Sequence, residues 1–213
     1  IENLKLISGA CGTLGLANPR YSQKLRFINE LRKIDADFIL LDLGAGSSYN
    51  VIDFFLAADH GLAVTTPEPM AIQETFNFLK IALMRKLTRE FKDDPESINR
   101  LEQEVFADSG RMSQSVGAAL QKLAGEEPGT ARRIQGILDK FTPSLILNMV
   151  HSDDEVKEGI ALRTAVEELL AMKMNFLGYV DHDESVRRAV KELRPFVVDD
   201  PSSRAAKSLA RLI

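Results

Sequence analysis

Asp42 is followed at two and four residues by glycine, in the run Asp42-Leu43-Gly44-Ala45-Gly46. A carboxylate can help hold a hard divalent cation, and a glycine lets a backbone N–H approach a phosphate because no Cβ stands in the way. The same residue types also build ordinary turns, so a strand end followed by a glycine turn is the competing reading of this stretch. Three other places put polar groups where a ligand could meet them. Thr65 and Thr66 end a short apolar run at Pro67-Glu68-Pro69, and their hydroxyls could serve the same site as Asp42. Asn148 interrupts the apolar run Leu145 to Val150, and a buried amide must find hydrogen-bond partners. Asp181-His182-Asp183 is a polar loop directly after the apolar run Phe176 to Val180.

Hydrophobic period and turn chemistry define the elements that would position these groups. Phe38-Ile39-Leu40-Leu41 reads as a strand buried on both faces that delivers Asp42 to its C-terminal end, the place where open α/β sheets bind ligands. Leu4 to Ser8, Leu62 to Thr66, Ser144 to Val150 and Phe176 to Val180 read as further strands, and Phe196-Val197-Val198 as a short last one. Between them lie helical patterns. One runs from about Ser22 to Ile34 and buries Leu25, Ile28, Leu31 and Ile34; another covers Val51 to Ala58. Pro69 suits the first turn of a long helix with Ile72, Phe76, Leu79, Leu83 and Leu87 on one stripe. Ser152-Asp153-Asp154-Glu155 is a capping box for a helix to about Met172, and a shorter helix spans about Glu184 to Leu193. A closing helix starts at Pro201-Ser202-Ser203, with Ala206, Leu209, Ala210 and Ile213 facing inward. Alternating strands and helices predict an α/β fold with a mostly parallel sheet flanked by helices, forming one domain over residues 1–213. Residues from about 85 to 142 break that rhythm. They are polar, helical and strand-free, with breaks near Asp94-Pro95, Asp108-Ser109-Gly110 and Gly125 to Gly129, and read as an inserted helical segment.

Composition narrows the function. The 213 residues, 45% of them hydrophobic, can bury a sizeable core. A net charge of −4 gives no bulk attraction to nucleic acid or anionic membrane, and the insertion carries equal numbers of acidic and basic residues with no basic stripe. Cys11 is the only cysteine, which excludes an internal disulfide and fits a reducing cytoplasm. His60, His151 and His182 lack metal-ligand spacing and read as polar loop residues. No run approaches the roughly 18 apolar residues of a bilayer span. The closing helix, with Arg204, Lys207 and Arg211 as its basic residues, reads as core packing and gives no support for membrane contact.

Four motifs occur together: Asp42-Leu43-Gly44-Ala45-Gly46; Thr65-Thr66-Pro67-Glu68-Pro69 with Ala71-Ile72; Leu147-Asn148-Met149-Val150; and Leu177-Gly178-Tyr179-Val180-Asp181-His182-Asp183 with Val186. In this order and spacing the chain resembles the MinD/ParA family of deviant P-loop ATPases, and the threonine-proline-glutamate-proline run is most similar to its flagellar-number regulator branch, FlhG or YlxH. The resemblance covers nearly everything except about 85–142. It implies a P-loop NTPase-like fold, ATP and magnesium as cofactors, and an ATP-dependent homodimer that regulates the placement or number of a cellular structure such as the flagellum. By resemblance Asp42 would hold magnesium through water, while Gly44 and Gly46 would sense the γ-phosphate. Thr65, Asn148 and the loop of Asp181 and Asp183 would line the nucleotide site, with Asn148 and that loop on the adenine.

The chain also departs from the family. No G-K-[ST] occurs in it, the aspartate that would orient the attacking water has no counterpart, and Asp181 stands where a proline is usual. The expectation is that the parent protein carries its phosphate loop, with the first strands of the sheet, ahead of Ile1. Two other readings compete. Gly9, Gly12 and Gly15 followed by Asp42 have the order, though not the spacing, of a Rossmann dinucleotide binder. A nucleotide-free interaction module acting through the helical insertion is the other.

Overall fold

The computed structural model describes residues 4–7, 21–106 and 112–212. The Gly9 to Gly15 loop, Cys11, the break at Asp108 to Gly110 and Ile213 lie outside the described residues. The chain divides into two compact units, Ile1–Ala57 and Ala58–Ile213.

In the first unit, α1 spans Tyr21–Leu31 and α2 spans Tyr49–Phe55. Ser48 caps α2 by accepting the Val51 N–H. Lys24 on α1 meets Asp53 on α2 in a buried ion pair at 2.6 Å, and Phe27 meets Phe54 edge to face with centroids 5.8 Å apart. Ile28, Leu31 and Ile34 are half-buried, less than their helical spacing promised.

The expected strands at Leu4 to Ser8 and Phe38 to Leu41 are not formed among the described residues. Leu6, Phe38 and Leu40 are 90%, 94% and 89% exposed, and residues 4–7 and 38–41 join no ladder among the described residues. An apolar run supplies strand propensity, but a strand also needs a neighbour to take its N–H and C=O groups.

The second unit is built on three parallel strands in the order β1 (Leu62–Thr65), β2 (Ser144–Val150), β3 (Asn175–Asp181). An α/β architecture with an all-parallel, helix-flanked sheet therefore holds for this unit. The connection from β1 to β2 contains α3 (Pro69–Glu90), α4 (Pro95–Val105), α5 (Val116–Glu126) and α6 (Pro128–Lys140). Its breaks have local causes. Asp94 caps α4 through the Ser97 N–H and hydroxyl, and Pro95 and Pro128 occupy first turns where a missing N–H costs nothing. Helix α7 (Asp153–Leu170) lies on β2 and β3. The core is formed by Leu79, Leu83 and Leu87 of α3, Leu145 and Leu147 of β2, and Leu162, Val166 and Leu170 of α7, all at most 2% exposed. Each such side chain contributes about 1.5–3 kcal/mol of transfer free energy.

The end of the chain differs from its sequence pattern. Phe196–Asp199 forms one helical turn, α9, between α8 (Glu184–Lys191) and α10 (Arg204–Leu212). No ladder takes this segment among the described residues, and Pro195 at the turn's start fixes φ at −70° and offers no N–H to a neighbouring strand. Helix α10 buries Ala205, Ala206 and Ser208, whereas Ala210 is exposed. It packs on β3, where Gly178 at φ +135° comes so close that a Cβ would lie 2.8 Å from Leu212 Cδ2. The capping box of α7 is only half made. Glu155 reaches back, but to the His151 N–H at 2.7 Å, and the Ser152 side chain makes no cap bond.

Candidate functional site

Parallel strands end together, so Thr65, Val150 and Asp181 bring the loops after them to one edge, the C-terminal edge of the sheet. Two register shifts shape that edge. Phe176 pairs with Leu145 but Gly178 pairs with Ile146, so Leu177 is an extra residue in β3. Further along, Leu147 pairs with Tyr179 and Val150 with Asp181, so β2 carries one extra residue in Asn148-Met149. Met149 takes up the slack at φ +60°, an uncommon conformation for a methionine that costs about 1 kcal/mol or more. A bulge of this kind re-aims side chains, and bulges concentrate beside functional sites. Asn148 sits in it, half-buried.

On β1, Thr65 faces the core side opposite Leu147 and is 6% exposed; its hydroxyl makes only a 3.5 Å contact with the Thr66 carbonyl. The hydroxyl that reaches the edge is that of Thr66. Its hydrogen bond to Glu68, with a smaller one from Glu68's own backbone N–H, holds the Glu68 carboxyl below its ordinary range. Pro69 then starts α3 directly after Glu68.

The carboxylates at the end of β3 and in the loop after it are occupied. Asp181 accepts Arg204 Nη2 at 2.9 Å on Oδ1, and Arg211 Nη2 at 3.3 Å on Oδ2. The Ser208 hydroxyl lies 2.6 Å from Oδ2. Burial pushes the Asp181 carboxyl up, but Ser208, Arg204 and Arg211 together outweigh it and the net direction is down. Asp183 caps two helices. Its Oδ1 accepts the Ser185 N–H of α8 at 2.8 Å, and its Oδ2 accepts the Arg204 and Ala205 N–H groups of α10 at 2.8 and 3.3 Å. The Ser185 bond leads in holding its carboxyl down to about 2, with Ala205 and Arg204 adding to it.

Between the strand ends stands a pair that hydrophobic period and motif spacing did not reveal. His151 and His182 stack with ring centroids 4.2 Å apart and planes inclined by 22°. The register explains the meeting. Val150 and Asp181 are ladder partners, so the next residue of each strand leaves the sheet beside the other, and the His182 N–H still bonds the Val150 carbonyl at 2.8 Å. The legible signal was two histidines each placed directly after an apolar strand.

Thus the structure brings Thr65, Asn148, Asp181 and Asp183 to one sheet edge. Asp42, Gly44 and Gly46 belong to the first unit and stand on their own. The Asp42 side chain is exposed, and no described residue holds its carboxylate. Gly46 needs its glycine for φ +91°, whereas a Cβ on Gly44 would meet nothing within 4 Å among the described residues. Magnesium keeps most of its water and is commonly held through one or two carboxylates plus the substrate's phosphates, so a single free aspartate fits that donor set. Among the described residues no group of three or more His, Cys, Asp or Glu could hold a metal by itself, and no helix is long and apolar enough to cross a membrane. No protein-family model matches the chain, and no curated protein matches it.

Proposed function

We propose that this chain is the base-recognising and switch-bearing part of a cytoplasmic MinD/FlhG-like regulatory ATPase. In this reading it works as an ATP-dependent dimer that controls the placement or number of a cellular structure such as the flagellum. One observation supports the nucleotide reading: three parallel strands end at one edge, and Asn148 lies in the bulge that β2 makes against β3 just before that edge, where open α/β sheets take their ligands. Asn148 presents one donor and one acceptor group to an adenine edge. The Asp181 and Asp183 carboxylates are committed to α8 and α10, so they act by fixing the loop, and base contact falls to the loop's main chain.

When bound, magnesium supplies charge neutralisation for the phosphates. Asp42 would orient its water ligands, and Gly44 and Gly46 would bring main-chain N–H groups to the terminal phosphate. Calorimetry and phosphate release on the product of the intact gene test the reading. The expected result is magnesium-dependent ATP binding with hydrolysis; absence of both overturns it. The 213-residue chain, which contains no G-K-[ST], should bind ATP weakly by itself, because that loop supplies most of the N–H groups and the lysine that offset triphosphate charge.

A second reading, a nucleotide-free interaction module, is favoured by the same commitment of Asp181 and Asp183 to internal contacts. It predicts a chain whose stability ATP and adenosine leave unchanged.

A further inference from the structure

We propose that the stacked His151–His182 pair is a platform on which the flat face of a purine ring stacks at the C-terminal edge of the sheet; this rests on the nucleotide reading and names the residue that would grip the base. Both imidazoles are anchored through their main chains. The His151 N–H is held by Glu155 of α7 and the His182 N–H by the Val150 carbonyl, so the rings are presented from two fixed strand ends. His182 is half-buried while His151 is exposed, which leaves the His151 ring as the outer layer.

The geometry favours stacking over metal ligation. Imidazole lone pairs lie in the ring plane, and two rings inclined by only 22° and stacked at 4.2 Å send them along near-parallel lines that do not converge on one ion. A stacked pair instead offers a π-face, which every nucleobase can use. Hydrogen-bonding groups stand next to it in the chain. Asn148 lies three residues before His151 and can read a ring edge while the platform holds the face. Asn148 alone would not hold a flat ring.

The test is a titration of the 213-residue chain with adenosine, which probes the base without the phosphates, monitored by the ring-proton NMR resonances of His151 and His182. Adenosine should move the His151 ring protons upfield, through the ring current of the stacked base. His151→Ala should weaken adenosine about tenfold or more, and His151→Phe should retain binding, since stacking needs a ring and not a nitrogen. Circular dichroism of both variants controls for folding. If adenosine binds with the imidazole resonances unmoved, or if His151→Ala binds as tightly as the parent, the platform is wrong while the nucleotide reading stands. If adenosine fails to bind the chain, and ATP fails to bind the product of the intact gene, both fall together.

Discussion

Two sets of aspartates in this molecule do opposite things with the same functional group. At the edge of the three-stranded sheet, Asp181 and Asp183 have filled their acceptor sites with arginines, a serine and helix N–H groups. In the other unit Asp42 stands exposed after an apolar run with its carboxylate unclaimed among the described residues, while Asp53 is closed into a buried pair with Lys24. A carboxylate whose lone pairs are taken by its own chain builds structure; one left open is available to a cation or a partner. Motif position alone does not separate the two, since Asp42 and Asp183 both stand in sequence motifs of the same resemblance.

The largest effect is expected at Asp42. In the product of the intact gene, Asp42→Ala should reduce ATP hydrolysis to background with an unchanged melting temperature. A normal rate, or a lowered melting temperature with a normal rate, would put Asp42 among the structural aspartates. Next in size is the buried pair. Lys24→Met alone should destabilise the first unit by about 3–5 kcal/mol, because it breaks a buried ion pair by removing only its cation, and the double variant Lys24→Met, Asp53→Leu should recover most of the loss. Chemical denaturation of the three proteins measures this.

Asp183→Ala should cost about 2 kcal/mol, the sum of two helix caps at about 1 kcal/mol each. The pH dependence has a definite sign. A carboxyl held at about 2 in the folded chain, against about 3.9 in an unfolded one, leaves the folded state with fewer bound protons between those values. Its stabilisation is therefore complete above about pH 5 and is lost as the pH falls through 4 towards 2. Asp183→Asn should flatten that acid limb in urea titrations at stepped pH. The smallest effects separate the glycines. Gly46→Ala should cost about 1–2 kcal/mol through its positive φ, whereas Gly44→Ala should leave the denaturation midpoint where it is. A fall in nucleotide turnover from Gly44→Ala at constant stability would then be a ligand effect.

Much of the second unit was legible because its signals are local. The apolar runs at β1, β2 and β3, the prolines at the starts of α3, α4 and α6, and the stripe of Leu79, Leu83 and Leu87 each specify an element without distant help. What was not legible depends on neighbours. Phe38 to Leu41 has strand composition but pairs with nothing among the described residues, and Val197-Val198 has it too yet folds as a helical turn. The sequence pattern placed Asn148 inside β2, but the bulge that houses it arises from a register shift against β3. The His151–His182 stack was invisible for the same reason, since it exists only once Val150 and Asp181 are paired. Asp183 showed its place in the loop, and its second cap, on a helix 21 residues away, required the fold.

That double cap gives one proton unusual leverage. A single carboxylate closes the first turns of both α8 and α10, so losing its charge frees the starts of two helices in the same event. The early amides of α8 and α10 should therefore exchange with deuterium at a common rate, opening together as one cooperative segment although they lie far apart along the chain.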